Sequence, residues 1–288
     1  MKPISLLVGN DINNATQQLS WATLLDRIIQ FCCVGEVERH KDKPFPLLYE
    51  EIFLSALRKS HLDELKLKTF IAEQVTAITS NEIHERIRGM RIPHIMTTNY
   101  EYSLEGAVPK RNTGLVRERI YSVFRRSQHE DTTYWHVHGE CRSPQSINLG
   151  YEHYGGQLQQ MRNYVVSGTD YKTKGILKDS LEYRLQHGKV NYQSWIDLWF
   201  TTDVHIFGLS LDFSETDLWW LLTYRARLKY YKQLPIENRI FYYIPQQFKA
   251  ASKFKLDLLH VNGVEVVDFP YESSLDYYRL VLDNIEKG

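Results

Sequence analysis

Four short polar clusters in this chain each follow an apolar run. That arrangement brings reactive side chains to one edge of a parallel sheet. They are Gly9-Asn10-Asp11, Thr98-Asn99-Tyr100-Glu101, His136-Val137-His138-Gly139 and Gly208-Leu209-Ser210-Leu211-Asp212. The Asn99 amide can donate and accept at once, which suits holding a ribose hydroxyl or a water; the alternative is that it only caps a helix starting near Tyr100. His138 suits a general base, because imidazole titrates near neutral pH and the adjoining Gly139 permits close approach. Strand alternation would put His136 and His138 on one face, where Glu140, Asp131 or His153 could complete a metal site. The base is the preferred reading, and no metal is expected. The turn at Gly9 could cradle a phosphate with its backbone N–H groups, although it lacks the three glycines of a dinucleotide fingerprint and no Walker lysine follows. An ordinary turn reads equally well. At Gly208, small residues would let a dinucleotide approach the backbone near a helix start; the alternative is a capped junction with no ligand.

Elements that could position these clusters are legible in the apolar pattern. Strands are expected at 4–8, 94–96, 115–126, 132–138, 204–207, 239–244 and 264–269. Trp21, Leu24, Leu25, Ile28, Ile29, Cys32 and Cys33 recur at helical spacing, so both cysteines read as core. Further helices are expected near 46–58, 61–79, 246–259 and from Ser273, and Ser214-Glu215-Thr216-Asp217 reads as a capping-box start for another. Residues 150–200 are polar and read as an insertion rather than core. Strands alternating with helices imply an α/β fold, a doubly wound, mostly parallel sheet.

Composition excludes several classes. Lys and Arg total 35 against 35 Asp and Glu, so no whole-chain charge draws nucleic acid or a membrane. The 3 cysteines build neither a disulfide framework nor a four-cysteine zinc site. No run approaches the roughly 18 apolar residues of a membrane span. The chain is expected to be cytoplasmic.

Together and in this order, the clusters resemble the sirtuin superfamily, and more narrowly the sirtuin-like NAD hydrolases of bacterial anti-phage defence. Gly9-Asn10-Asp11 stands where that family has its glycine-rich first loop. Thr98-Asn99-Tyr100-Glu101 resembles its Asn motif, with Glu101 in place of Asp, and Trp135 to Gly139 resembles the strand ending in its His-Gly. Asn148 to Tyr154 is similar to a Leu-Gly-Tyr run of the defence branch, and Gly208-Leu209-Ser210-Leu211 to the ribose–phosphate loop. The resemblance implies one NAD-binding catalytic domain over residues 1–288, with helical insertions at about 36–90 and 150–200. The paired Cys-x-x-Cys motifs of deacetylating sirtuins are missing, so neither structural zinc nor deacylation is expected.

By that resemblance NAD is the substrate, cleaved to nicotinamide and ADP-ribose. Asn99 would orient the water or a ribose hydroxyl, and His138 would take the proton. Asp11 would stabilise the cation or bind the carboxamide. Gly9, Asn10, Asp11, Thr98, Asn99, Gly208, Ser210 and Leu211 would hold the dinucleotide. A non-catalytic sensor of NAD or ADP-ribose, or a protein ADP-ribosyltransferase, are the alternatives. The resemblance also implies control by assembly, into a homo-oligomer or with a HerA-type ATPase. The charged loop 36–44 and the basic run from Lys110 to Arg126 are candidate contact surfaces.

Overall fold

The computed structural model describes residues 2–16, 19–40, 42–109, 116 and 118–288. Seven strands form one sheet in the order β3-β4-β2-β1-β5-β6-β7. They are β1 (Ile4–Val8), β2 (His94–Thr97), β3 (Ser127–His129), β4 (Thr132–His136), β5 (Asp203–Phe207), β6 (Ile240–Pro245) and β7 (Val264–Phe269). All neighbours are parallel except the edge strand β3, which runs antiparallel to β4. This is the expected α/β, doubly wound class. The strand order reverses beside β1, between β2 and β5, and there the register is flush: Val8 lies opposite both Thr97 and Phe207, and Thr97 opposite His136. Four strands therefore end at one level, and the polar clusters begin at that level.

Helices cover both faces. Between β1 and β2 come α1 (Trp21–Phe31), α2 (Phe45–Ser60), α3 (Glu64–Thr76) and α4 (Glu82–Gly89); between β4 and β5, α5 (Tyr151–Val166), α6 (Leu181–Gln186) and α7 (Trp195–Thr201). The rest are α8 (Thr216–Tyr230), α9 (Lys253–Val261) and α10 (Ser274–Lys287). Alternation along β1 sends Leu7 into a core with Met96, Trp135, Trp199 and Leu221, and sends Leu6 and Val8 into a second core with Ile87, Tyr278 and Leu282. A third cluster, under α1, α2 and α3, reaches Tyr100 beside the sheet's carboxyl ends. Among the described residues, no helix is long and apolar enough to cross a membrane.

Three expectations are corrected. Residues 118–126 are not a strand: the Glu118 carboxylate gathers the backbone N–H groups of Val123, Phe124 and Arg125 at 2.8–3.0 Å, folding the chain on itself where a ladder would extend it. The stretch 150–200 is not outside the core. Met161, Trp195, Ile196 and Trp199 are fully buried there, and its polar residues satisfy one another: Asp197 accepts from Tyr164 Oη at 2.7 Å and Arg184 Nη2 at 3.2 Å. Low mean hydropathy hid buried polar pairing. Finally, α1 stops before the cysteines; Cys32 is buried, but Cys33 turns to a left-handed φ of 53° and is exposed.

Because Trp195 is fully buried and donates to Ser122 O at 2.6 Å, Trp195→Ala is expected to cost about 3–5 kcal/mol by chemical denaturation. A loss below about 1 kcal/mol, the scale of a surface change, would place this segment outside the core.

Candidate functional site

A cleft of about 650 Å³ opens over the carboxyl ends of the strands. Asn10, Asp11 and Asn14 line it after β1, Thr98 and Tyr100 after β2, and His138 after β4. Gly208 to Ser210, Asp212, Ser214 and Glu215 follow β5, and Tyr242, Lys255, Tyr277 and Tyr278 close the far side. That volume is in the range of a cofactor site.

The floor is a contact between two turns. Gly9 N donates to Phe207 O at 3.0 Å and Asp11 N to Gly208 O at 2.9 Å. A Cβ on Gly9 would lie 2.3 Å from the Gly208 carbonyl oxygen, so no other residue fits. Gly9 is therefore part of the floor and not of the lining. Leu211 is buried in the core below, while Ser210 is exposed at the rim. Asn10 is tied to the next strand's motif: Asn13 Nδ2 donates both to Asn10 Oδ1 (2.8 Å) and to the buried Glu101 Oε1 (3.0 Å). Asp11 accepts from Tyr278 Oη at 2.6 Å and from Asn14 Nδ2 at 3.1 Å, which ties α10 to the mouth.

No helix begins near Tyr100, so the capping role for Asn99 is not realised. The Asn99 backbone is clamped instead. Its N–H donates to Thr97 Oγ1 at 3.0 Å, and its carbonyl accepts from His136 Nδ1 at 2.7 Å. The side chain is buried, yet neither amide atom has a partner. Asn99 lines a side cavity of about 20 Å³ that shares Asn10, Thr98 and Tyr100 with the cleft, space for about one water.

The two histidines are divided in role. His136 Nε2 lies 2.8 Å from Glu105 Oε1, so both ring nitrogens meet acceptors. Burial opposes its charge, but the Glu105 carboxylate more than offsets this, helped by Glu140 and the Asn99 carbonyl, and its pKa is pushed up to about 9. It acts as a fixed cation under Asn99. His138 places Nε2 2.9 Å from Asp217 Oδ2, edge-on to the Tyr154 ring at 5.3 Å. Burial again pulls its pKa down, and the charges of Asp217 and Glu215 with the Asp217 hydrogen bond pull harder, leaving it above the ordinary value. Nδ1 of His138 has no hydrogen bond to the described residues, and the residue lines the cleft.

Of the other suggested metal ligands, Glu140 accepts from Tyr102, His153 accepts the N–H groups of Leu149 and Gly150 and faces Glu64, and Asp131 is exposed in the turn between β3 and β4. Among the described residues, no group of three or more His, Cys, Asp or Glu is placed to hold a metal ion. Sequence reasoning missed Asp217 and Glu215 by assigning them to a cap. Glu215 does take the N-cap position of α8 but makes no side-chain cap bond, and Asp217 turns to His138. The available signal was two acids spaced by one residue directly after a strand-end glycine loop.

An open α/β sheet with a cleft at its switch point defines a doubly wound class of protein whose ligands bind at the carboxyl ends of the strands. Within it, the SIR2-like domain family model matches residues 93–187, which hold Asn99, His136 and His138 but neither glycine turn nor Asp217. That match supports a sirtuin-like superfamily and an NAD-related activity. No curated protein matches the chain.

Two outcomes follow. Asp217→Asn removes the charge that holds the His138 proton, so the His138 pKa falls, read from its imidazole NMR resonance; an unchanged titration would break the pairing. His136 has its pKa raised above 6.5 to about 9, so its contribution to stability is full below pH 6.5 and is lost as pH rises through about 9. Glu105→Gln is expected to flatten that alkaline decline in denaturation midpoints.

Proposed function

We propose that this chain hydrolyses NAD at the nicotinamide–ribose bond, releasing nicotinamide and ADP-ribose. The observation that carries the reading is a buried, unpartnered Asn99 amide in a side cavity that shares Asn10, Thr98 and Tyr100 with the cleft lined by the carboxylate-held His138. Leaving both amide atoms of a buried Asn unsatisfied is costly in a folded protein, so the group is poised for a partner that the ligand or its water supplies.

In this reaction the C1′–N1 bond breaks with its electron pair on nitrogen, and a cation spreads over C1′ and the ring oxygen. The Asn99 amide orients the attacking water, and His138 takes its proton as the water oxygen bonds to C1′. Asp217 holds the His138 ring in place and makes it a stronger base. The Asn10 backbone, with Gly208 and Ser210, offers contacts to the phosphates, since the Gly9 and Asp11 N–H groups are spent on the floor. Asp11 already accepts from Tyr278 and Asn14, so it acts at the mouth by fixing α10.

Unchecked loss of NAD harms its own cell, which favours a defence role in a bacterial cytoplasm and control by assembly, with further copies of the chain or a HerA-type ATPase. Of the basic run considered for such contacts, residues 110–115 and 117 lie outside the described residues. Arg125 is buried near Glu140 and Arg126 packs over Trp135, while Arg119 is exposed, so Arg119 and the loop 36–44, of which residue 41 lies outside the described residues, remain the candidate surfaces.

His138→Ala and Asn99→Ala are each expected to lower nicotinamide release by on the order of a hundredfold or more, read by chromatography. Turnover within a few-fold of wild type in both would sink the assignment. The base must be unprotonated, so kcat/KM rises with pH through the elevated His138 pKa. In Asp217→Asn that limb moves to lower pH and the plateau falls.

A further inference from the structure

We propose that Glu215 is the cleft's receptor for positive charge: its carboxylate binds the pyridinium of the incoming dinucleotide and stabilises the cation that forms on C1′ as nicotinamide leaves. The inference rests on the NAD reading and deepens it. It starts from how the cleft's other charges are spent. On the lining, Asp11 is committed to Tyr278 and Asn14, Lys255 donates to the Ser210 carbonyl at 2.5 Å, and Asp212 is exposed to solvent, while Asp217, buried behind it, turns to His138. Glu215 lines the same cleft, and its carboxylate makes no hydrogen bond or ion pair with the described residues. One of its oxygens, Oε2, is out of reach of solvent.

The position is also unusual for a helix start. An acid at the N-cap ordinarily turns to the first-turn N–H groups, and Glu215 leaves them unanswered to face the cleft. Around it stand His138, Asp217, Asp212 and Lys255, with the phenols of Tyr100, Tyr154 and Tyr242. Burial, with Asp217 and Asp212 adding to it against His138 and Lys255, raises its pKa to about 8. With no other cation beside it, the carboxyl is therefore biased toward its neutral form at neutral pH. A cation beside it reverses that balance, so binding releases its proton and leaves a carboxylate where the reaction develops positive charge. The electron balance is that of simple hydrolysis. The C1′–N1 pair leaves on N1, a water oxygen supplies the new bond to C1′, and the water proton passes to His138.

The test compares two dinucleotides by titration calorimetry in buffers of different ionisation enthalpy. Carba-NAD keeps the pyridinium charge and cannot be hydrolysed, whereas NADH is neutral at that ring. The wild-type chain is expected to prefer carba-NAD by about tenfold or more at pH 9, to lose much of that preference by pH 6, and to release close to one proton on binding carba-NAD at pH 7. Glu215→Gln is expected to remove most of the preference and of the proton release. His138 titrates in both proteins, so the difference between them isolates Glu215. The amide is nearly isosteric at a side chain that makes no bond, and an unchanged melting curve checks the fold. Should Gln impair folding, the wild-type pH dependence of the preference still decides. Equal binding of both dinucleotides, or a preference that survives in Glu215→Gln, overturns the assignment and leaves the NAD reading standing. Binding of neither overturns both.

Discussion

Where the turn after β1 meets the turn after β5, backbone touches backbone. Gly9 accepts no side chain because the Gly208 carbonyl stands where its Cβ would be, and Gly208 itself holds a left-handed φ of 67° against Gly9 and Ile12. Two further bonds, from Gly9 N and Asp11 N, lock the turns together. That contact fixes the reversal of strand order as a shallow floor. With larger side chains there, the turns would part, the flush ends of β2, β1 and β5 would shear, and the Asn99 and His138 segments would lose their common level. The same need recurs at Gly139, where φ is 97° and a Cβ would lie 2.1 Å from Ser146 O. Small residues in this site are spacing devices, and the polar chemistry depends on them.

Above that floor the chain buries charge in pairs. Buried ion pairs add little net stability, since desolvation consumes much of their attraction, so their value here is positional. His136 between Glu105 and the Asn99 carbonyl immobilises a backbone segment whose side chain is left without partners. His138 on Asp217 is held by one nitrogen while the other carries no bond to the described residues. Two histidines separated by one valine thus serve different ends, and what distinguishes them is the number of acceptors each ring meets. The strand ends at His136, so the alternation that would have put both rings on one face no longer applies at His138.

Much of the sheet was legible because parallel strands buried on both faces leave short apolar runs closed by polar residues. Ile4–Val8 and Val264–Phe269 are instances. The clusters that follow such runs were legible for the same reason. Pairing across distance was not: Asp217 is 79 residues from His138, and a helix start gives acids an innocent explanation. The core within 150–200 was hidden differently. Its Trp195 and Trp199 sit among Tyr164, Arg184 and Asp197, whose polarity depresses any windowed hydropathy although they satisfy one another in the interior. The same confusion ran the other way at 118–126, where β-branched and aromatic residues at alternate positions suggested a strand, and one half-buried glutamate folded the segment instead.

Local rules are broken together at one place, the start of α8, and the breaks agree with each other. An N-cap acid without a cap bond and a first-turn aspartate drawn away to a histidine both leave N–H groups of the helix to other partners. Acids near a helix N-terminus are ordinarily stabilised as anions by its dipole, yet Glu215 is shifted the opposite way, toward its neutral form. Burial and two neighbouring aspartates therefore outweigh the dipole. A chain optimised for stability alone would relieve this with a serine at the cap and an apolar residue beside it. What the retained arrangement provides is one wall acid, Glu215, held toward its neutral form, next to a base already held by its own carboxylate. Those two properties are the ones that heterolysis of a pyridinium glycoside draws on.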